Sequence, residues 1–283
     1  MADSIKIGNL DISAFKVGAA DCSIYLGDVK LYPNEEPTPS YPYTFYRVSR
    51  DGSGYTVECS ASSADTITSA QTKSGVTASE LSSTTATQTP MEVVFGDCCQ
   101  TIGSGACSGW SQVTSITISD SVNTIRSNAF RGCSGITSIN IPSSVTIIES
   151  SAFNRCGALT SVTFNEGLTD IGPYAFSGCS NLASIDIPNS VTRIENNAFQ
   201  TCSGMTSVNV GSGVTAIDAD AFWNCTSLTS MTFHSITPPH LYNSGVLSQT
   251  NNCPIYVPTE SVETYKAASV WSDFASRIQA IQT

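Results

Sequence analysis

The stretch Ser-Asn-Ala-Phe-Arg-Gly-Cys at residues 127–133 contains a motif that returns four more times. Its constant part is an Ala-Phe pair followed three residues after the Phe by a Cys, and successive copies are 23 residues apart. The copies place phenylalanine at Phe130, Phe153, Phe176, Phe199 and Phe222, and cysteine at Cys133, Cys156, Cys179, Cys202 and Cys225. A constant period in the twenties predicts a mainly β solenoid of short stacked coils, each covering its neighbours.

Each repeat has two parts. Apolar residues at spacing two, such as Ile139 and Ile141, predict a strand whose alternate side chains face the interior. The second part is a return arm, for example Val145–Cys156, with inward positions three or four residues apart, which favours a helical or 3₁₀ turn. The arms are predicted to end near three glycines: Gly132, Gly157 and Gly178.

The repeat extends beyond its clean copies at the N-terminal side. Val93, Phe95 and Ile102 lie 23 residues before apolar positions of the next coil, while Cys107 and Trp110 replace the Phe and Cys. An atypical first coil is typical of a capping repeat. We therefore place the solenoid at residues 90–253.

The pattern stops after Phe233, and residues 234–252 are interpreted as an irregular insertion. Residues 255–257 predict one more strand. An amphipathic helical run from Val262 to Ile281 follows, with Tyr265, Trp271 and Phe274 on its apolar side. Residues 254–283 are therefore predicted to form a C-terminal cap.

Residues 1–32 predict a small β module of short hairpins, with turns at Gly8-Asn9 and Gly27-Asp28. Residues 33–40 are a Pro-rich linker by composition. Residues 41–89 form a small β segment that begins with a hairpin of residues 43–48 and 55–59. Residues 60–89 are rich in Ser, Thr and Ala, which leaves short strands and a loosely ordered connection as alternatives.

Composition excludes several functions. The formal net charge is −11 and 12% of residues are charged. Nucleic acids and anionic membranes need a basic patch, so neither is an expected partner. The chain has no run of eighteen apolar residues, so no membrane insertion is expected, and its first residues predict no secretory signal.

Five of the eleven cysteines form one periodic column. Because a position that repeats once per coil is a packing position, we expect buried, reduced thiols that act as small hydrophobic groups. Adjacent coils lie close enough that a disulfide between neighbouring thiols of the column is an alternative.

Motifs for catalysis or metal binding are weak. The two histidines, His234 and His240, lack the nucleophile and acid of a catalytic triad in their vicinity. Asp218 and Asp220 supply two carboxylates, well short of the six to eight oxygens that calcium takes. We expect no enzymatic activity, no metal and no cofactor.

The best candidate for a ligand-binding site is the outer face of the predicted sheet. One outward column is serine: Ser138, Ser161, Ser184, Ser207 and Ser230. The next outward column is Asn140, Thr163, Asp186, Asn209 and Thr232. These side chains favour docking of a protein or a glycan, although Ser and Thr are also tolerated on a crowded strand face. The face lacks aromatic rings for sugar stacking, so Trp223 on a return arm is added as a candidate contact.

These repeats resemble a known family. Residues 180–202 read Ser-Asn-Leu-Ala-Ser-Ile-Asp-Ile-Pro-Asn-Ser-Val-Thr-Arg-Ile-Glu-Asn-Asn-Ala-Phe-Gln-Thr-Cys, which is similar to the BspA-like leucine-rich repeats. The segment at 255–273, Ile-Tyr-Val-Pro to Trp-Ser-Asp, resembles the terminal element of such proteins in gut Bacteroidales. The resemblance covers residues 90–283 and implies surface adhesion without catalysis.

The N-terminal module has a second resemblance. Residues 24–32, Ile-Tyr-Leu-Gly-Asp-Val-Lys-Leu-Tyr, are similar to anchoring modules of virion proteins of phages that infect Bacteroidales. This resemblance implies a phage fibre or decoration protein located on the virion, whose solenoid meets a cell surface or mucosal material. Residues 1–32 would then bind a virion protein or their own copies. The alternative is a bacterial adhesin, secreted or on the cell surface.

Overall fold

The computed structural model describes residues 101–111 and 113–282 fully and, before residue 101, the backbone of nine strands between residues 5 and 95. The predicted linker at residues 33–40 lies outside the described residues, as does most of the segment at 60–89.

The repeats form parallel coils with two strand columns, here called the long strands and the short strands. The long strands are Met91–Phe95, Val113–Ile118, Ser138–Ile141, Ser161–Phe164, Ser184–Ile187, Ser207–Val210, Ser230–Phe233, Ile255–Val257 and Ile278–Ala280. The short strands are Thr66–Ile67, Thr101–Ile102, Thr124–Ile125, Ile147–Ile148, Asp170–Ile171, Arg193–Ile194, Ala216–Ile217 and His240–Leu241. This arrangement confirms the predicted mainly β solenoid.

Equivalent residues of successive coils pair in register. Ser184 pairs with Ser207, which pairs with Ser230, and each step is 23 residues. The eight short strands form one parallel sheet, whereas the long strands are divided among three hydrogen-bonded groups. The second group ends at Ser161–Phe164 and the third begins at Ser184–Ile187. A backbone hydrogen bond from Ala183 N to Thr160 O (3.1 Å) joins these two neighbouring coils. The predicted equivalence of Val93 with Ile116 is also observed.

The core between the strand columns is built from the periodic apolar residues. Long-strand residues alternate between exposed and buried, as in Ser184–Ile187. The five periodic phenylalanines are completely buried, and successive rings stack with centroids 5.0–5.4 Å apart. One side chain per coil therefore contributes to a continuous aromatic column.

The return arms are not helical, in contrast to the prediction. Alternate N–H groups bond to the next coil, as in Phe130 N to Ala152 O (2.8 Å), and the N–H groups between them close β-turns within the arm. These turns require left-handed residues, for example Ser151 (φ 59°) and Arg155 (φ 61°). Arg155, and not the predicted Gly157, is the equivalent of Gly132 and Gly178. Bonding to the neighbouring coil replaces the bonds that a helix would make within itself.

The predicted irregular insertion at residues 234–252 is wrong, because this segment forms another coil. His240–Leu241 pairs with Ala216–Ile217, 24 residues earlier, so the coil has one extra residue. Its return arm bonds to the preceding one through Phe222 N to Val246 O (3.2 Å) and contains the 3₁₀ helix Ser244–Leu247. Val246 and Leu247, both buried, stand where earlier coils have Ala and Phe.

The C-terminal segment differs from the predicted helical run. It consists of the 3₁₀ helix Thr259–Ser261, the α-helix Val262–Ala267, the 3₁₀ helix Trp271–Arg277 and the strand Ile278–Ala280. Ile278 therefore belongs to a strand, which pairs in parallel with Ile255–Val257. None of the described helices has the length and apolar character needed to cross a bilayer.

The cap packs aromatic side chains on the last coils. The buried rings of Tyr265 and Trp271 lie 6.4 and 5.0 Å from the ring of Phe233. Trp271 Nε1 donates to Pro239 O (2.7 Å), and Tyr265 Oη donates to Ser235 O (2.9 Å). Two polar aromatic groups of the cap thus donate hydrogen bonds to backbone carbonyls of the last coil.

The strands before residue 90 match the predicted hairpins. Ile5–Ile7 pairs with Leu10–Ile12, and Ile24–Leu26 pairs with both Phe15–Val17 and Val29–Tyr32. The next hairpin joins Thr44–Asp51 to Gly54–Ala61.

Two strands before residue 90 also pair with solenoid strands. Gly54–Ala61 pairs in parallel with Met91–Phe95, and Thr66–Ile67 with Thr101–Ile102. Two sheets therefore contain strands from both sides of the predicted boundary at residue 90. The division into domains stays a prediction.

Candidate binding face

The two predicted polar columns lie side by side on the outer surface of the long strands. We call the ten side chains Ser138, Asn140, Ser161, Thr163, Ser184, Asp186, Ser207, Asn209, Ser230 and Thr232 the polar face. Seven of them are exposed and three, Ser207, Ser230 and Thr232, are half-buried. Strand pairing in register places equivalent side chains on neighbouring coils about 4.8 Å apart. The structure thus brings these candidates together on one surface.

A column of hydroxyls next to the polar face has a structural role. Thr160, Thr206 and Thr229 each lie one residue before a serine of the face. Each donates its hydroxyl to a carbonyl of the preceding coil, over 2.8–3.0 Å. These threonines therefore stabilise the stacking of coils.

The serine hydroxyls of the polar face do not share this role. In the part of the chain that the structure describes, the hydroxyls of the five face serines make no hydrogen bond to the protein, and neither do those of Thr163 and Thr232. A hydroxyl has one donor and two acceptor sites, so this surface presents many groups that are free to bond to a ligand.

The polar face is almost uncharged. Asp186 is its single ionisable residue, and its carboxylate accepts a bond from Asn209 Nδ2 (2.6 Å). Asn165 Nδ2 donates to Asn140 Oδ1 (3.2 Å), which extends the amide contacts toward the strand ends. The face therefore offers hydrogen bonds without a strong electrostatic field.

The polar column continues into the cap, which the sequence analysis missed. Thr232 pairs with Tyr256, and Tyr256 pairs with Gln279. Both side chains point outward, because their neighbours Ile255 and Ile278 are buried. Tyr256 lies 24 residues after Thr232, one residue more than the usual period. The position 24 residues after Ser230 is Pro254, so the serine that marks the other strands is missing from this one.

Trp223 does not lie on the polar face. Its side chain is half-buried in the return arm, where the backbone N–H of Trp223 donates to Asp220 O (3.0 Å). The predicted set therefore divides into ten residues on one sheet face and one tryptophan on the turn segment.

The periodic cysteines are buried and unpaired, as predicted. Each thiol donates to the carbonyl of a residue in the phenylalanine column of the preceding coil, for example Cys179 Sγ to Phe153 O (3.3 Å). Burial raises the pKa of the Cys179 thiol to about 12. Because the thiolate is the reactive form, this column is inert at neutral pH.

Charged side chains lie on the outer surface of the short strands. Arg193 Nη2 bonds to Asp218 Oδ2 (2.8 Å). Burial raises the pKa of the nearby Glu195, and the charge of Arg193 opposes this shift. Within residues 101–111 and 113–282, no three His, Cys, Asp or Glu side chains are grouped to hold a metal ion.

The fold and its polar face define a class of protein, the leucine-rich-repeat solenoid with an exposed β-sheet surface. The chain belongs to the family of the BspA type leucine rich repeat region, whose repeats match six times over residues 93–236. Comparison with curated protein sequences gives no significant match.

A similar solved structure supports the fold. A leucine rich cell surface protein from Faecalibacterium prausnitzii is 23% identical, with a TM-score of 0.50 over 81% of this chain and 73% of that one. The T. pallidum leucine rich repeat protein is 22% identical, with a TM-score of 0.49 over 70% of this chain and 86% of that one. A leucine-rich repeat protein from Bacteroides ovatus is 17% identical, with a TM-score of 0.41 over 76% and 69%.

Proposed function

We propose that this chain is a non-enzymatic adhesion protein whose polar face binds a protein or glycan on a cell or mucosal surface. The observation that carries the proposal is the contrast between two adjacent hydroxyl columns. The column of Thr160 bonds to the backbone of the preceding coil, whereas the column of Ser161 has no partner in the described residues. The serine hydroxyls make no bond that would stabilise the coil, so they are available to a ligand.

The setting that we propose is a virion. The strands described between residues 5 and 32 have three or four residues each and lie in two separate antiparallel sheets. Sheets this small bury too little surface to be stable alone. Docking onto a virion protein, or onto further copies of residues 1–32, would supply the missing contacts. This need for docking contacts, together with the resemblance to phage anchoring modules, supports a fibre or decoration protein of a Bacteroidales phage.

The alternative is a bacterial adhesin on the cell surface or secreted from the cell. The cell surface is the location named for the Faecalibacterium prausnitzii protein. Immunogold electron microscopy of the native source separates the two settings. Gold on phage particles supports the virion, and gold confined to the bacterial envelope supports the alternative.

Binding through the polar face is tested with two matched substitutions four residues apart. Ser184→Glu places a charge at the centre of the face, and Ser180→Glu places the same charge on an exposed turn outside it. The labelled full chain is titrated onto Bacteroidales cells and onto mucin-coated surfaces. We expect Ser184→Glu to weaken binding at least tenfold by burying an unpaired carboxylate, while Ser180→Glu binds like the parent.

Circular dichroism melts of both variants control for folding. Equal binding by the two variants would show that the serines merely tolerate a crowded strand face, and the proposed binding surface would be abandoned.

A further inference from the structure

The geometry points to Tyr256 as a sugar-stacking side chain at the C-terminal end of the polar face, and so to a neutral glycan as the occupant of that face. This inference rests on the proposed function, since it names the chemistry of the ligand. Thr232, Tyr256 and Gln279 are direct neighbours on three adjacent strands, with a hydroxyl and an amide on either side of the ring.

All three side chains have free polar groups. Within the described residues, the hydroxyls of Thr232 and Tyr256 and the amide of Gln279 have no hydrogen-bond partner, and the ring of Tyr256 contacts no other aromatic ring. Tyr265 is different, because its ring packs on Trp271 (4.8 Å) and its hydroxyl donates to Ser235 O. Tyr265 is thus committed to the cap, whereas Tyr256 is half-buried and its outward part is available to a ligand.

The composition of the face favours a glycan over a protein. Protein interfaces draw most of their affinity from buried Trp, Tyr and Arg in an apolar centre. The ten side chains of the polar face include no apolar residue and no arginine. A sugar ring presents hydroxyls along its edge and C–H groups on its faces. The hydroxyls match the serine and amide columns, and the C–H face matches a tyrosine ring.

Charge makes the expected glycan neutral. The polar face carries one carboxylate, Asp186, and no cation, while the whole chain carries a formal charge of −11. An acidic polysaccharide would be repelled and would find no basic partner on this face.

Affinity electrophoresis of the full chain tests the inference directly. Native gels contain mannan, dextran or galactan as neutral probes, or alginate as an acidic one. The variants are Tyr256→Ala, Tyr256→Phe and, as a matched control, Tyr242→Ala, which removes a tyrosine that is 68% exposed and lies next to the last short strand. We expect retardation by a neutral polysaccharide, weakened about three- to tenfold in Tyr256→Ala and largely kept in Tyr256→Phe and Tyr242→Ala.

Failure of this inference is distinguishable from failure of the proposed function. If no neutral polysaccharide retards the chain while cell binding still depends on Ser184, the ligand is not a neutral glycan and the binding face stands. The cells can also be treated before binding. If binding survives periodate treatment of the cells but not protease treatment, the ligand is a protein and the inference of a glycan ligand is overturned. If cell binding is insensitive to both Ser184→Glu and Tyr256→Ala, the face and the inference fall together.

Discussion

The stacked phenylalanines allow a stability difference to be predicted from geometry alone. Phe176 stacks on Phe153 (5.0 Å, 5°) and on Phe199 (5.4 Å, 6°), and it meets Phe164 edge-on (5.6 Å, 75°). Phe222 has one ring partner among the described residues, Phe199 (5.4 Å, 3°). Both side chains are completely buried. Replacing each by leucine therefore removes similar apolar area but different numbers of ring contacts.

The expected difference follows from the contacts. An aromatic pair contributes about 0.5–1.5 kcal/mol beyond its buried area. Phe176→Leu removes three pairs and Phe222→Leu removes one, so the first should reduce the free energy of unfolding by about 1–3 kcal/mol more than the second. The loss of packing from ring to isobutyl group is common to both variants and cancels in the comparison.

Urea denaturation followed by far-ultraviolet circular dichroism measures both variants and the parent protein. The slope of each transition must be compared as well, because stacked repeats can unfold in parts. Equal destabilisation by the two substitutions, or a larger loss for Phe222→Leu, would refute the idea that ring stacking adds to burial in this column.

Three further predictions concern the thiol column, the cap and one turn. Burial raises the pKa of Cys179 from 9.0 to about 12, so the unfolded chain loses this proton at lower pH than the folded chain. Stability should therefore fall as pH rises from 9 to 12, and urea midpoints of Cys179→Ala should fall less steeply. Trp271→Phe should cost about 1–3 kcal/mol by leaving the Pro239 carbonyl unpaired, whereas the half-buried Trp223→Phe should cost little in a thermal melt. Gly213→Ala should destabilise by about 1–3 kcal/mol in urea denaturation, since its methyl group would overlap a backbone carbonyl of the preceding coil. Gly157→Ala should stay within about 0.5 kcal/mol, since its methyl group would meet the Ser180 hydroxyl at an ordinary contact distance of 3.9 Å.

The regular coils are predictable because every coil repeats the same pattern of buried and exposed residues. The period of 23 residues implies that Ser184 pairs with Ser207, and the alternation of Ile185 and Ile187 decides which side chains face outward. The two columns of the polar face follow from that period and that alternation together. No property of a particular coil is needed to place them.

The return arms were not predictable in the same way. Inward positions at spacings of three and four occur in a helix, but also in successive turns that bond to the next coil. Choosing between them depends on the neighbouring backbone, which the spacing within one arm does not contain. The left-handed conformation of Arg155, a residue with no special preference for it, is imposed by the coils on either side.

The sequence by itself determined the period, the register and the outward columns of this protein, because side-chain burial repeats with the chain. The tertiary structure decided where the solenoid ends. The coil of residues 234–252 lacks the Ala-Phe and Cys motif, yet it continues the solenoid because backbone hydrogen bonds do not depend on side-chain identity. The strand Ile278–Ala280 likewise exists because a parallel partner is present. That pairing places Gln279 beside Tyr256, which the preceding pairing places beside Thr232 of the polar face.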